Sequence, residues 1–133
     1  MRVLKTYARV FVADLDESLP LYETLVGASA DLRFAFEKAE LAAVGDFLLI
    51  AGADDDVEPY RSTVGPVIVD ELDALIALIA GPAGAEVIGE SRSATGRFAY
   101  IRHPDGAVVE YVQWSPEILT AVFGTSAGAG RES

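Results

Sequence analysis

The chain has no cysteine, one histidine, one tryptophan and one methionine in 133 residues, and its 10 basic residues face 21 acidic ones. Each shortage removes a class of function. Without thiols there is no disulfide-built scaffold, thiol enzyme, cysteine-ligated zinc site or iron–sulfur centre. With a single histidine, a His-based triad or a multi-histidine metal site has almost nothing to draw on. The net charge of −11 opposes binding to phosphate backbones, so no nucleic-acid partner is expected. Long hydrophobic runs are missing as well. The longest, near Leu72–Gly81, is far too short to span a bilayer. Arg2, Lys5 and Arg9 interrupt the opening segment where a signal peptide would be apolar. A soluble, cytoplasmic protein with no membrane partner is expected. What is present is a core: 51% of the residues are hydrophobic, enough at this length for one domain that needs no metal or disulfide staple.

Val12-Ala13-Asp14-Leu15-Asp16 is echoed by Val69-Asp70-Glu71-Leu72-Asp73, and Gly27-Ala28 by Gly84-Ala85, both at an offset of 57 residues. One offset held over two separate elements points to an internal duplication. The element order repeats too. β-Branched and aromatic residues over Val3–Val12 predict a strand. Asp14 or Asp16 then offers an N-cap, Leu19, Tyr22, Leu25 and Val26 recur at helical spacing, and Gly27 ends the helix, with Pro20 expected in its first turn. Strands are expected over Leu32–Glu37, Glu40–Val44 and Asp46–Ala51. The second half predicts strand Thr63–Val69, helix Leu72–Ala80, and strands Ala85–Glu90, Gly96–Arg102 and Ala107–Trp114. Between the halves, residues 53–61, with Asp54-Asp55-Asp56 and Pro59, read as a solvated acidic linker. Residues 115–123 suit a short helix capped by Ser115, and the small-residue tail at 124–133 is expected to be disordered. The expected class is α+β. One domain over 1–123 would consist of two βαβββ modules, at about 3–52 and 62–114.

This unit, used twice and ending in His103-Pro104-Asp105-Gly106-Ala107-Val108-Val109-Glu110-Tyr111, resembles the vicinal oxygen chelate superfamily. That group includes glyoxalase I, the bleomycin-resistance proteins, fosfomycin-resistance transferases and extradiol dioxygenases. The stretch Val10–Ser18, followed by Leu21-Tyr22 and Leu25-Val26-Gly27, is similar to the family's first strand and helix. The resemblance implies curved mixed sheets around a cleft, helices on their convex side, and a homodimer. It also implies a divalent ion held by His or Gln at the start of each first strand and by Glu on the last strand of one or both modules. Carried onto this chain, those positions hold Tyr7, Val64, Leu49 (or Ile50, if the register slips by one) and Glu110. Only Glu110 matches. One carboxylate cannot anchor a transition ion that needs three or more donors, so no metal and no cofactor are expected.

Period-two alternation puts Ala8, Val10 and Val12 on the helix-facing side of the first strand and Tyr7, Arg9 and Phe11 on the other. In the second module Val64, Pro66 and Ile68 point inward, and Glu110 shares its face with Val108, Val112 and Trp114. A carboxylate in a half-apolar cleft must be paired or shift its pKa, and Arg9 is the expected partner. Two other readings of Glu110 stand beside this one: a structural residue bonded to a tyrosine or water, and a general base. Tyr7, Arg9, Phe11, Phe98, Tyr100, Glu110 and Trp114 are the candidate ligand-binding residues, with core or a dimer seam as the alternative for the aromatics. Tyr100 lies where the resembled transferases carry a cavity-facing tyrosine. His103, in a His-Pro-Asp-Gly turn, is expected to be structural. Ser91–Gly96 lacks the glycines and lysine of a phosphate loop, and Arg97 and Arg102 read as surface.

Two function classes follow. The first is a metal-independent glyoxalase/bleomycin-resistance-like protein that sequesters a small organic molecule, cationic or aromatic. The second is an enzyme, either a metal-independent lyase or isomerase in which Glu110 and Tyr7 are the candidate catalytic residues, or a metal-dependent lyase or dioxygenase with a degenerate or unusual metal site.

Overall fold

The computed structural model describes residues 1–124; the rest of the tail expected to be disordered lies outside the described residues. The first module comprises β1 (Val3–Thr6), β2 (Ala8–Val12), α1 (Leu15–Val26), β3 (Leu32–Phe36), β4 (Ala39–Val44) and β5 (Phe47–Ala51). A helix, α2 (Asp54–Arg61), leads to the second: β6 (Val64–Val69), α3 (Leu72–Ile79), a short 3-10 turn, β7 (Glu86–Ser93), β8 (Gly96–Arg102) and β9 (Val108–Trp114). α4 (Pro116–Phe123) follows. The strands form a five-stranded sheet, β1-β6-β9-β8-β7, and a four-stranded sheet, β2-β5-β4-β3. In both, the strand that precedes the module's helix runs parallel to its last strand, β2 to β5 and β6 to β9, and every other strand pair is antiparallel. The class is α+β, as expected.

The opening strand departs from the sequence reading. It breaks at Tyr7, so that β1 pairs with β6 of the second module while β2 pairs with β5 of its own. The break is held by two bonds in different sheets: Tyr7 N–H donates to the Pro66 carbonyl at 3.1 Å and Ala8 N–H to the Asp46 carbonyl at 2.8 Å. One chain segment thereby ties the two sheets together.

Local chemistry explains the helices. The Asp14 carboxylate caps α1 by accepting from Glu17 N–H at 3.0 Å, and Gly27, at φ 82°, closes it with a bond to the Glu23 carbonyl. Since α1 begins at Leu15, Pro20 lies in its second turn rather than its first. The carbonyl it deprives of a helical donor belongs to Asp16, which is exposed to solvent. The expected acidic loop is helical. Asp54, Asp55 and Asp56 occupy the first turn of α2, where their charge complements the helix dipole, Arg61 occupies the last, and buried Val57 anchors the helix. Ser115 caps α4 with Pro116 in its first turn.

Apolar side chains separate into three clusters. Leu15 and Leu19 of α1 pack on Val44 and Leu49 outside the four-stranded sheet, and Leu72 and Leu75 of α3 pack on Val69, Ile101 and Tyr111 outside the other. The third cluster lies between the sheets and includes Tyr7, Leu48, Ile50, Ile68, Phe98, Val112 and Trp114. β5 shows the alternation directly: Leu48 and Ile50 face this inner cluster, Leu49 the helix.

The β8–β9 contact depends on Gly96, at φ 149°, where an added Cβ would sit 2.1 Å from the Gln113 carbonyl oxygen. Gly96→Ala is expected to destabilise the fold by about 2 kcal/mol or more in urea titrations, through backbone strain and this clash. Gly89→Ala, with nothing within 4 Å of its added methyl, should change stability little; equal effects would contradict this account of the sheet contact.

Candidate functional site

The facing surfaces of the two sheets enclose a cleft of about 80 Å³. β3, β4 and β5 supply Leu32, Phe34, Phe36, Leu41, Leu48 and Ile50, and the second module supplies Pro66, Ile68, Phe98, Tyr100, Val112 and Trp114. Among the charged residues that line it are Arg9 and Glu110. Tyr7, Tyr60, Ser93 and Thr95 contribute hydroxyls.

Arg9 and Glu110 meet across the junction of the modules. Arg9 Nη2 donates to Glu110 Oε1 at 2.5 Å, and the two side chains are 8% and 17% exposed. The other arm of the guanidinium, Nη1, reaches the end of α2. It donates to the carbonyls of Tyr60 and Thr63, both at 3.2 Å, and to the Thr63 hydroxyl. Carbonyls at a helix C-terminus carry partial negative charge, so α2 helps to hold the cation in place. Burial pushes the Glu110 carboxyl above its ordinary range, and the Arg9 charge and hydrogen bond pull against that shift. Tyr100 lies opposite Glu110 in the β8–β9 register, and burial with the Glu110 charge pushes its phenol up. Tyr60 donates to Glu37 Oε1 at 2.8 Å, and its phenol is pushed up to about 12 by burial and by that bond. All these phenols are donors at neutral pH.

Six of the seven residues picked from sequence line the cleft: Tyr7, Arg9, Phe98, Tyr100, Glu110 and Trp114. Phe11 does not. Its ring lies under the Arg61 guanidinium at 4.6 Å, in a separate depression shared with Val57 and Asp54. α2 covers that part of β2, and reading α2 as a loop hid this. Tyr60 and Thr63 were missed for the same reason. Phe34, Phe36 and Leu41 were legible in principle, as alternate residues of a hairpin. His103 stays outside the cleft: its ring stacks on Tyr111 and shares a 2.9 Å hydrogen bond with the Tyr111 hydroxyl, while its backbone closes the turn with Gly106 and Ala107. Arg97 and Arg102 pair at the surface with Asp73 and Glu86.

The coordination points that the resemblance implies do not fit a divalent ion. Leu49 faces α1, and Ile50 takes the inward position. Val64 is 52% exposed and Pro66 faces the cleft instead. Neither inward residue has a donor atom, the Tyr7 phenol is a poor ligand, and one oxygen of Glu110 is bound by a guanidinium. Among the described residues no three His, Cys, Asp or Glu side chains cluster.

Arg9→Met is expected to cost about 3 kcal/mol, because it strands a buried carboxylate, and the double replacement Arg9→Met/Glu110→Met should recover most of that loss. Additive losses in urea titrations would contradict the pairing. The pH dependence has a definite sign. With its pKa raised on folding, Glu110 keeps a proton that the unfolded chain releases, so its contribution is fully present in acid and is lost as pH rises from 4.5 through the raised value. The stability of the wild type relative to Glu110→Gln should therefore fall with pH over that window; a rise would contradict the direction.

No family model and no curated protein matches the sequence. Solved structures do. An uncharacterized protein from Methanosarcina mazei is 39% identical, with a TM-score of 0.80 over 86% of this chain and 95% of the other. A variant of Streptomyces coelicolor methylmalonyl-CoA epimerase in complex with 2-nitronate-propionyl-CoA is 17% identical, with a TM-score of 0.62 over 86% and 97%. Methylmalonyl-CoA epimerase in complex with methylmalonyl-CoA and ammonium gives 17% and 0.61 over 86% and 95%. Among the described residues no helix is long and apolar enough to cross a membrane. The chain belongs to the same family as the Methanosarcina mazei protein, and its fold is that of the vicinal oxygen chelate superfamily.

Proposed function

We propose that the protein is a metal-independent small-molecule binding protein of the sequestration or resistance type, which holds an apolar organic molecule between its two sheets. The observation that carries this reading is the Arg9–Glu110 pair, a guanidinium bound to the one carboxylate that matches the resembled ion site. The walls support it. Aromatic and aliphatic side chains dominate the lining, with a few hydroxyls to orient an occupant, as in small-molecule pockets generally. Pairing also removes the net charge at Glu110, which favours an aromatic or neutral occupant over a cationic one. A homodimer belongs to the same reading, on the ground of the resemblance.

A second reading has support of its own. The raised Glu110 carboxyl, beside the Tyr100 phenol, suits a general base for a lyase or isomerase. The fold shared with an epimerase is compatible with it, although fold does not fix activity.

Protein purified without chelator is expected to carry no stoichiometric zinc, nickel, manganese or iron, and a full equivalent of any of them would contradict metal independence. Calorimetric titration with ethylbenzene, for which the cleft of about 80 Å³ must widen on binding, should show one site per chain. Ala43→Leu, which adds bulk to the cleft wall, should weaken it at least tenfold; undiminished binding would place the occupant elsewhere.

A further inference from the structure

The two ends of the cleft differ. Glu110 and Trp114 stand four residues apart on β9, so roughly 13 Å separates the ionic end from the tryptophan end. At the tryptophan end lie Tyr7, whose ring centroid is 6.0 Å from that of Trp114, and Thr95, whose carbonyl accepts from Ser115 N–H at 2.9 Å. Tyr7 is 4% exposed, and among the described residues its buried hydroxyl has no hydrogen-bond partner. Phenylalanine would fill the same space without burying an unpaired polar group. Thr95 is also unusual, a polar side chain buried to 5% among described residues otherwise apolar at that depth. Its hydroxyl lies 3.1 Å from Ser93 Oγ, a contact that uses one of the two hydroxyl protons and leaves the other uncommitted.

We propose that this end of the cleft is a subsite in which the Tyr7 hydroxyl donates a hydrogen bond to an uncharged acceptor oxygen, such as a ketone or amide carbonyl, on an apolar ligand. The inference rests on the binding reading above and adds the ligand's chemical class. Burial, with the charges of Asp31 and Asp46, pushes the Tyr7 phenol up, so it remains a donor and an anionic acceptor is disfavoured. Lys5, whose ammonium lies 5.1 Å from the Tyr7 ring centroid, is bound to Asp46 at 2.7 Å, so the two charges largely offset each other and Asp31 and burial remain. The helix at this end is α4, which has no buried residue and reaches Trp114 through Phe123, the two ring centroids lying 5.9 Å apart.

Acetophenone and ethylbenzene have nearly the same shape and differ in one carbonyl, so their relative affinity isolates the hydrogen bond. Each is titrated calorimetrically into wild type and Tyr7→Phe. The preference for acetophenone relative to ethylbenzene is expected to fall about tenfold in Tyr7→Phe, with the ethylbenzene affinity unchanged. Ligand-free Tyr7→Phe is expected to melt above wild type, since the unpaired hydroxyl is gone. An unchanged preference would overturn the assignment of Tyr7 while leaving binding in the cleft intact. Failure of both compounds to bind wild type would overturn the binding reading and this inference with it.

Discussion

Arg9 and Glu110 come from strands 101 positions apart in the chain, and neither charge would be tolerated in this cleft without the other. Their pairing sets the character of the interior. It joins β2 of one sheet to β9 of the other, and through the carbonyls of Tyr60 and Thr63 it also fixes the end of α2. The guanidinium therefore links three elements that the backbone ladders connect only in part. It also leaves the cleft without a free carboxylate able to gather a divalent ion, on a fold where the resemblance implies one.

Architecture and chemistry meet at the break in the first strand. A continuous strand from Val3 to Val12 would have joined a single sheet. The switch at Tyr7 instead hands the chain from β6 to β5, closes the cleft at one side, and places Tyr7 and Arg9 on the inner surface two residues apart. The same switch buries the Tyr7 hydroxyl. A polar group kept unpaired against an aromatic wall, where no other buried side-chain polar atom among the described residues lacks a partner, is the kind of local inconsistency that marks a functional position.

Much of this was legible in the residues. The 57-residue echo anticipates the element order that recurs as β2-α1-β3-β4-β5 and β6-α3-β7-β8-β9, and strand phase, with the resemblance setting the first and last strands beside one site, suggested the Arg9–Glu110 pair. The rest was hidden for physical reasons. Leu48, Leu49 and Ile50 are all apolar, so alternation gives β5 no phase, and the inward position fell to Ile50 rather than Leu49. Residues 54–56 look like a solvated acidic run, yet three carboxylates at a helix N-terminus are stabilised by its dipole, and local composition does not reveal that Val57 is buried. With α2 unseen, the covering of Phe11, the arrival of Tyr60 at the cleft and the contact of Thr63 with Arg9 could not be read.

Crystals grown in excess manganese(II) test the central claim most directly, through an anomalous difference map at the cleft. The account predicts a guanidinium seated on Glu110 and no anomalous peak beside it. A peak bonded to Glu110 and to two further side chains of this chain or its mate, with Arg9 displaced, would contradict it.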